Sequence, residues 1–196
     1  MLDSSFFQPV VMSFRLNKDE CCGIIEVSGD ISHYNRVDNP IIEIFRAVEQ
    51  DVRKENGHKL SFSAGCPIYN PAKNITACRF YPNMANLHWR PERIRVKMEE
   101  ILEGQISPRF TSLLTDYFVS DEFKDYQLNL SALLAGVGDN KDIIDTLTLN
   151  CKKSIKDFIK KAGYDLPKNR KVQIMPKGEE LNAKKAERIL EFLSNN

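Results

Sequence analysis

The sequence predicts an α+β fold: an N-terminal antiparallel sheet of two hairpins with one covering helix, followed by a mainly helical C-terminal half. Three observations carry this. Apolar residues alternate through Val10–Leu16, Leu60–Ala64 and Ile75–Tyr81, the period of strands buried on one face. After His88 the apolar spacing changes to that of helices. The segment from His88 to Gly104 is the hinge, with Pro91 in a first helical turn and Ile94, Met98, Ile101 and Leu102 on one face. Gly104 is expected to stop that helix by taking the left-handed conformation. The chain divides into a strand-rich portion, residues 1–87, and a mainly helical portion, residues 88–196, packed together as one compact unit.

In order, Met1 to Gln8 reads as a loose leader. Val10, Met12, Phe14 and Leu16 face one way on the first strand. Asn17 to Glu20 is a polar turn, and Cys21 to Val27 is the returning strand of a hairpin. Asn39 caps a helix that Pro40 opens. Ile41, Phe45, Val48 and Val52 form its buried stripe, and Gly57 closes it. Glu49 and Arg53 stand four apart and are expected on its exposed face, a pair contributing about 0.3 kcal/mol. The next two strands are separated by Gly65 to Asn74, too long for a tight turn and constrained by Pro67 and Pro71.

The helical half reads as five further elements. Ser107-Pro108 starts a helix running to about Phe118. Ser120 caps the next, with Asp121 and Glu122 in its first turn. Phe123, Leu130, Leu133, Leu134 and Val137 line it, and Gly136 and Gly138 close it. Asp139 is expected to cap a long helix to Ala162, buried through Ile144, Leu147, Cys151, Ile155 and Phe158. Lys171 to Met175 reads as a short strand, and Ala186, Ile189, Leu190 and Leu193 line a last helix.

The net charge is +1 over 196 residues, so whole-molecule attraction to nucleic acid or membrane is not indicated. The charge is unevenly placed: residues 1–50, 51–100, 101–150 and 151–196 carry −4, +4, −5 and +6. Charges interrupt every apolar run, which argues against a membrane span. The first residues lack the basic start and long apolar run of a secretory signal. Five irregularly spaced cysteines fit reduced thiols and a cytoplasmic location. The sequons at Asn74 and Asn129 matter only if that is wrong.

Candidate chemistry is sparse. Cys21 and Cys22 lie at a turn into a strand, but no nucleophile signature surrounds them. His58, Cys66, Cys78 and His88 are zinc-ligand types, yet they stand singly and not in the closely spaced pairs of structural sites. Glu122-Phe123-Lys124 resembles a fragment of some metal-dependent nucleases, but it opens a helix, where Glu and Lys point apart. No phosphate loop or metalloprotease motif occurs. No metal or other cofactor is called for.

Two surface clusters remain. Trp89, Arg90, Arg93 and Lys97 lie along one edge of the hinge helix, and tryptophan and arginine are enriched at protein interfaces. The bland alternative is that Trp89 covers the core and the arginines pair with Glu92 and Glu100. Lys152, Lys153, Lys156 and Lys160 share a flank of the long helix, followed by Lys168, Arg170 and Lys171. They form a basic segment suited to an acidic partner or to phosphate backbones, or else a solvated lysine face. Tyr164 is the only nearby aromatic for base stacking. The reading is a non-enzymatic protein-binding or regulatory module whose partner is another protein. The alternatives are a nucleic-acid-binding protein using the basic segment and a small cysteine-dependent hydrolase or transferase built on Cys22 or Cys66.

Overall fold

A computed structural model describes residues 7–32, 38–57, 60–83, 91–136 and 140–168. The architecture is the expected α+β arrangement: a five-stranded antiparallel sheet, then helices. Strands β1 (Val11–Asn17) and β2 (Cys22–Ser28) form the first hairpin, with Phe14 opposite Ile25 and Asn17 opposite Cys22. The Asn17 side chain accepts hydrogen bonds from the amides of Asp19 and Glu20, which shapes the turn. The pairing slips between Val11 and Ser13. An extra residue there reverses which face the preceding side chains take. Val10 and Met12 are therefore exposed, and Val11, Phe14 and Leu16 meet the core. This corrects the uniform alternation expected from Val10 onward.

Strand β5 (Ile75–Pro82) pairs with β2 on one side. On its other side it pairs with two short strands, β3 (Phe62–Ala64) and β4 (Ile68–Asn70). The Gly65 amide donates to Arg79 O at 2.8 Å between them, so β3 and β4 act as one interrupted edge. The stretch expected to be a long connection thus holds a strand. Only an edge can carry Pro67 and Pro71 so close to a ladder.

Helix α1 (Pro40–Asn56) is capped by Asn39, whose side chain accepts from the Ile41 amide, and ends at Gly57 with φ 61°. Its four expected stripe residues are fully buried. Glu49 departs from expectation. It is only 3% exposed, faces inward, and accepts from the Phe62 amide at 3.4 Å, with Arg53 Nη1 4.0 Å away.

The hinge segment does not stop at Gly104. Helix α2 (Pro91–Met98) continues through a π-helical stretch, Glu99–Ile106, into α3 (Ser107–Phe118). The Ser107 amide reaches back five residues to Leu102 O. Pro108 supplies a physical reason: it lacks an N–H, and its ring would crowd the Gly104 carbonyl in a regular α-turn. Widening the turn relieves both. The expected stripe Ile94, Met98, Ile101 and Leu102 is buried, and Ile106, Phe110, Leu114 and Tyr117 extend it.

The inner sheet face and the helices share one apolar core. Phe45 of α1 stacks on Phe80 of β5 with centroids 3.7 Å apart, and Phe110 of α3 stands edge-on to Phe14 and Phe45 at 5.3 Å. Leu102 approaches β2 so closely that a Cβ on Gly23 would lie 2.6 Å from its Cδ2. A side chain there would force Leu102 to shift, so this glycine serves close contact and not an unusual backbone angle. Leu16 N donates to Glu103, and Arg109 bridges Asp51 and Glu55 of α1.

Helix α4 (Asp121–Leu134) is capped by Ser120, and α5 (Lys141–Lys161) packs antiparallel to it. The observed α5 cap is Asn140, not Asp139: its side chain accepts from the Ile143 amide. Asp139, Val137 and Gly138 lie outside the described residues, as do the expected strand at Lys171–Met175 and the last helix. No helix among the described residues is long and apolar enough to cross a membrane.

Candidate interaction surfaces

Among the described residues, which include no histidine, the cysteines do not converge on a base. Cys22, Cys78 and Cys151 are fully buried, and burial pushes their thiols up to about 11, 12 and 11 respectively, with the nearby Glu20 adding to the effect at Cys22. Raised values disfavour the thiolate that nucleophilic chemistry needs. Cys21 is half-buried with its thiol 3.5 Å from Met98 Sδ, and Cys66 is exposed on the sheet edge. Cys66 and Cys78 stand near each other across that edge, but His33, His58 and His88 lie outside the described residues. Among the described residues no three His, Cys, Asp or Glu side chains group as metal ligands do. Glu122 and Lys124 point apart as expected for an opening helical turn: Lys124 pairs with Asp121, and Glu122 with Lys161.

Of the hinge cluster, Arg93 is exposed on α2, and Lys97 is half-buried and bonded to Glu100 at 2.7 Å. Trp89 and Arg90 lie outside the described residues. Of the basic segment, Lys153, Lys156 and Lys160 are exposed along one flank of α5, and Lys152 is half-buried beside them. They share the outer surface of that helix with Asp142, Asp145 and the 63% exposed Leu149, so the flank is mixed in sign toward its N-terminus. Lys168 separates from the flank. The chain turns back after α5, and the Lys168 amide donates to Gln50 of α1. Arg170 and Lys171 fall outside the described residues.

Two surfaces were not anticipated. The first is the far end of the α4–α5 pair. Contacts between Asn129 and Asn150, between Tyr126 O and Cys151, and between Glu122 and Lys161 set the antiparallel register. That register places Leu134 level with Ile144. Burial stops at Leu130 in α4 and begins only at Cys151 in α5. Beyond that point, along this arm, the apolar stripe of the two helices runs on without cover from the other described residues. Leu134 is 47% exposed, Ile143 40% and Ile144 38%, and Leu133 and Leu147 are half-buried. All but Ile143 are residues whose spacing predicts burial. Periodicity reports which face of a helix is apolar; it does not report whether another element reaches that face.

The second is a groove of about 500 Å³ along the outer side of α1, closed by Pro167 and Lys168. Arg46, Arg53 and Lys54 line it from α1. The sequence signal available was the spacing of these three along one helix, but their meeting with Lys168 depends on the reversal after α5.

Comparison of the chain with protein-family models, with curated proteins and with solved structures gave no match in any of the three.

Proposed function

We propose that this chain is a non-enzymatic protein-binding module whose contact surface is the inner face of the α4–α5 arm. The observation that carries the reading is the run of large apolar side chains at Leu134, Ile143 and Ile144, each more than a third exposed at the end of a well-packed helix pair. A contiguous apolar patch framed by polar residues is what a soluble domain exposes where another protein covers it. A partner helix laid between α4 and α5 would extend the bundle by the packing that already joins them. The five free thiols fit a reducing, cytoplasmic setting for such a module.

The test is a paired substitution. Leu134→Ser with Ile143→Ser removes apolar area from the arm at positions already largely in water. The reading predicts at least a tenfold loss of partner retention on the immobilised chain, with an unchanged circular dichroism spectrum. Leu149→Ser, on the far side of α5, is expected to retain the partner fully. Equal retention by both variants would remove the arm as the contact surface.

A further inference from the structure

We propose that the groove along α1 is a second, independent contact site, and that it takes a short acidic peptide segment whose carboxylates engage Arg53 and Lys168. The proposal rests on the convergence of four cations, Arg46, Arg53, Lys54 and Lys168, on one depression of about 500 Å³. Between Arg46 and Gly57 the helix advances about 16 Å, which matches about five residues of extended chain.

The pairing of these cations leaves them available. Arg46 is exposed and meets the half-buried Glu43 at 3.0 Å, and Lys54 meets Asp165 in a pair exposed on both sides. Arg53 Nη1 lies 4.0 Å from Glu49 Oε1, beyond hydrogen-bond range. Its Nε is shielded from solvent and has no acceptor. The side chain as a whole is 38% exposed, and a guanidinium whose nearest carboxylate is beyond hydrogen-bond range gains an acceptor when a carboxylate enters. No acid lies within salt-bridge distance of the Lys168 ammonium among the described residues. Lys156 of α5 is close enough to Glu43 to act on it electrostatically, which extends the positive rim toward α5. Solvent-exposed ion pairs are weak, so an incoming carboxylate can replace Asp165 on Lys54 at small cost. Asp165 shows that the Lys54 ammonium accepts a carboxylate partner.

The lining favours peptide over nucleic acid. Among the described residues it contains no aromatic ring on which a base could stack. Its cations lie over a length that matches a few side chains rather than a tract of backbone phosphates. Arginine forks recognise carboxylates with two parallel hydrogen bonds, and two of the four cations here are arginines.

The experiment is fluorescence anisotropy of a labelled penta-glutamate peptide titrated with the full chain at low salt. The expected result is saturable binding in the micromolar to submillimolar range that weakens as salt is raised. Lys168→Glu, at an exposed position that does not bear on folding, is expected to weaken binding at least tenfold, and Arg53→Gln likewise. Lys153→Glu, on the outer flank of α5, should leave it within a factor of two. Three results would overturn the proposal: no binding up to about 1 mM, equal loss from Lys153→Glu and Lys168→Glu, or tighter binding of a labelled single-stranded RNA of equal charge that is lost with Lys168→Glu. Because the arm is untouched by these variants, failure here leaves the arm reading standing, and failure of the arm leaves this one standing.

Discussion

Phe110→Ala should destabilise the sheet and the helices together. Phe110 comes from α3 and is fully buried. Its ring meets Phe14 of β1 and Phe45 of α1 at 5.3 Å, and Phe80 of β5 at 5.9 Å, all edge-on. Truncating a buried phenylalanine costs about 3–5 kcal/mol in lost burial and residual cavity. Three edge-on ring pairs, each contributing roughly 0.5–1.5 kcal/mol beyond burial, place this site at the upper end of that range. A domain of ordinary stability has about 5–15 kcal/mol in total, so the loss is a large share. Phe110→Leu, which keeps most of the volume, should cost no more than about 1.5 kcal/mol. Urea unfolding followed by far-ultraviolet circular dichroism reads the helices, and hydrogen exchange at Ile25 and Phe80 reads the sheet. We propose that residues before and after the hinge unfold as one cooperative unit, so both probes should shift by the same free energy. If the helical signal shifts while exchange at Ile25 and Phe80 stays at the wild-type value, the common core is not the unit of stability, and the reasoning fails.

Three further outcomes follow from the structure. Thr76 is fully buried, its hydroxyl donating to Gly29 O at 2.6 Å and accepting from the Ile31 amide at 2.9 Å, so Thr76→Val strands two backbone groups and should cost about 2–3 kcal/mol in urea unfolding; a change below about 0.5 kcal/mol would refute the pairing. In the native protein at mildly alkaline pH, a thiol reagent should label Cys66 fast and Cys21 more slowly, and reach Cys22, Cys78 and Cys151 only on unfolding; fast labelling of Cys22 would revive a nucleophilic cysteine. The carboxyls of Glu20, Glu55 and Asp121 are held low by hydrogen bonds from Arg79, Arg109 and Lys124, and Glu122 by its own backbone amide and Lys161. Groups with a depressed folded-state pKa stabilise the fold above their unfolded value and lose that contribution as pH falls through the folded one. Stability should therefore decline below about pH 4.5, with Glu43, raised by burial, working in the opposite sense. Glu122→Gln should flatten the acid limb, and an unchanged limb would contradict the assignment.

Local chemistry carried most of the fold into the sequence. Asn39-Pro40 and Gly57 bound α1, and Ser120 opens α4, because caps satisfy backbone groups within a few residues of themselves. What escaped depends on distant contacts. The slip at Met12 is a pairing defect between two strands, invisible in one strand's alternation. The π-helical turn before Pro108 conceals a helix continuing where glycine and proline together read as a break. Glu49 turns inward because β3 supplies an amide, and nothing within α1 signals that.

The surfaces were less legible still. Ile144, Leu147, Leu133 and Leu134 belong to the same stripes as the buried Cys151 and Leu130, and only the lengths of the packed neighbours decide which members are covered. Lys168 follows the lysines of α5 in sequence and belongs with them by spacing alone. The turn after Ala162 instead carries it to α1, beside Arg46 and Arg53. Charge blocks along a chain do not record where the chain doubles back.

The most direct test of the arm as the contact surface is site-specific photo-crosslinking in the native cells, with a photoreactive residue placed at Ile144 in one chain and at Lys153 in another. The account predicts one discrete protein adduct from position 144, absent from position 153 and lost when Leu134→Ser is added. Adducts of equal yield from both positions, or none from position 144, would contradict it.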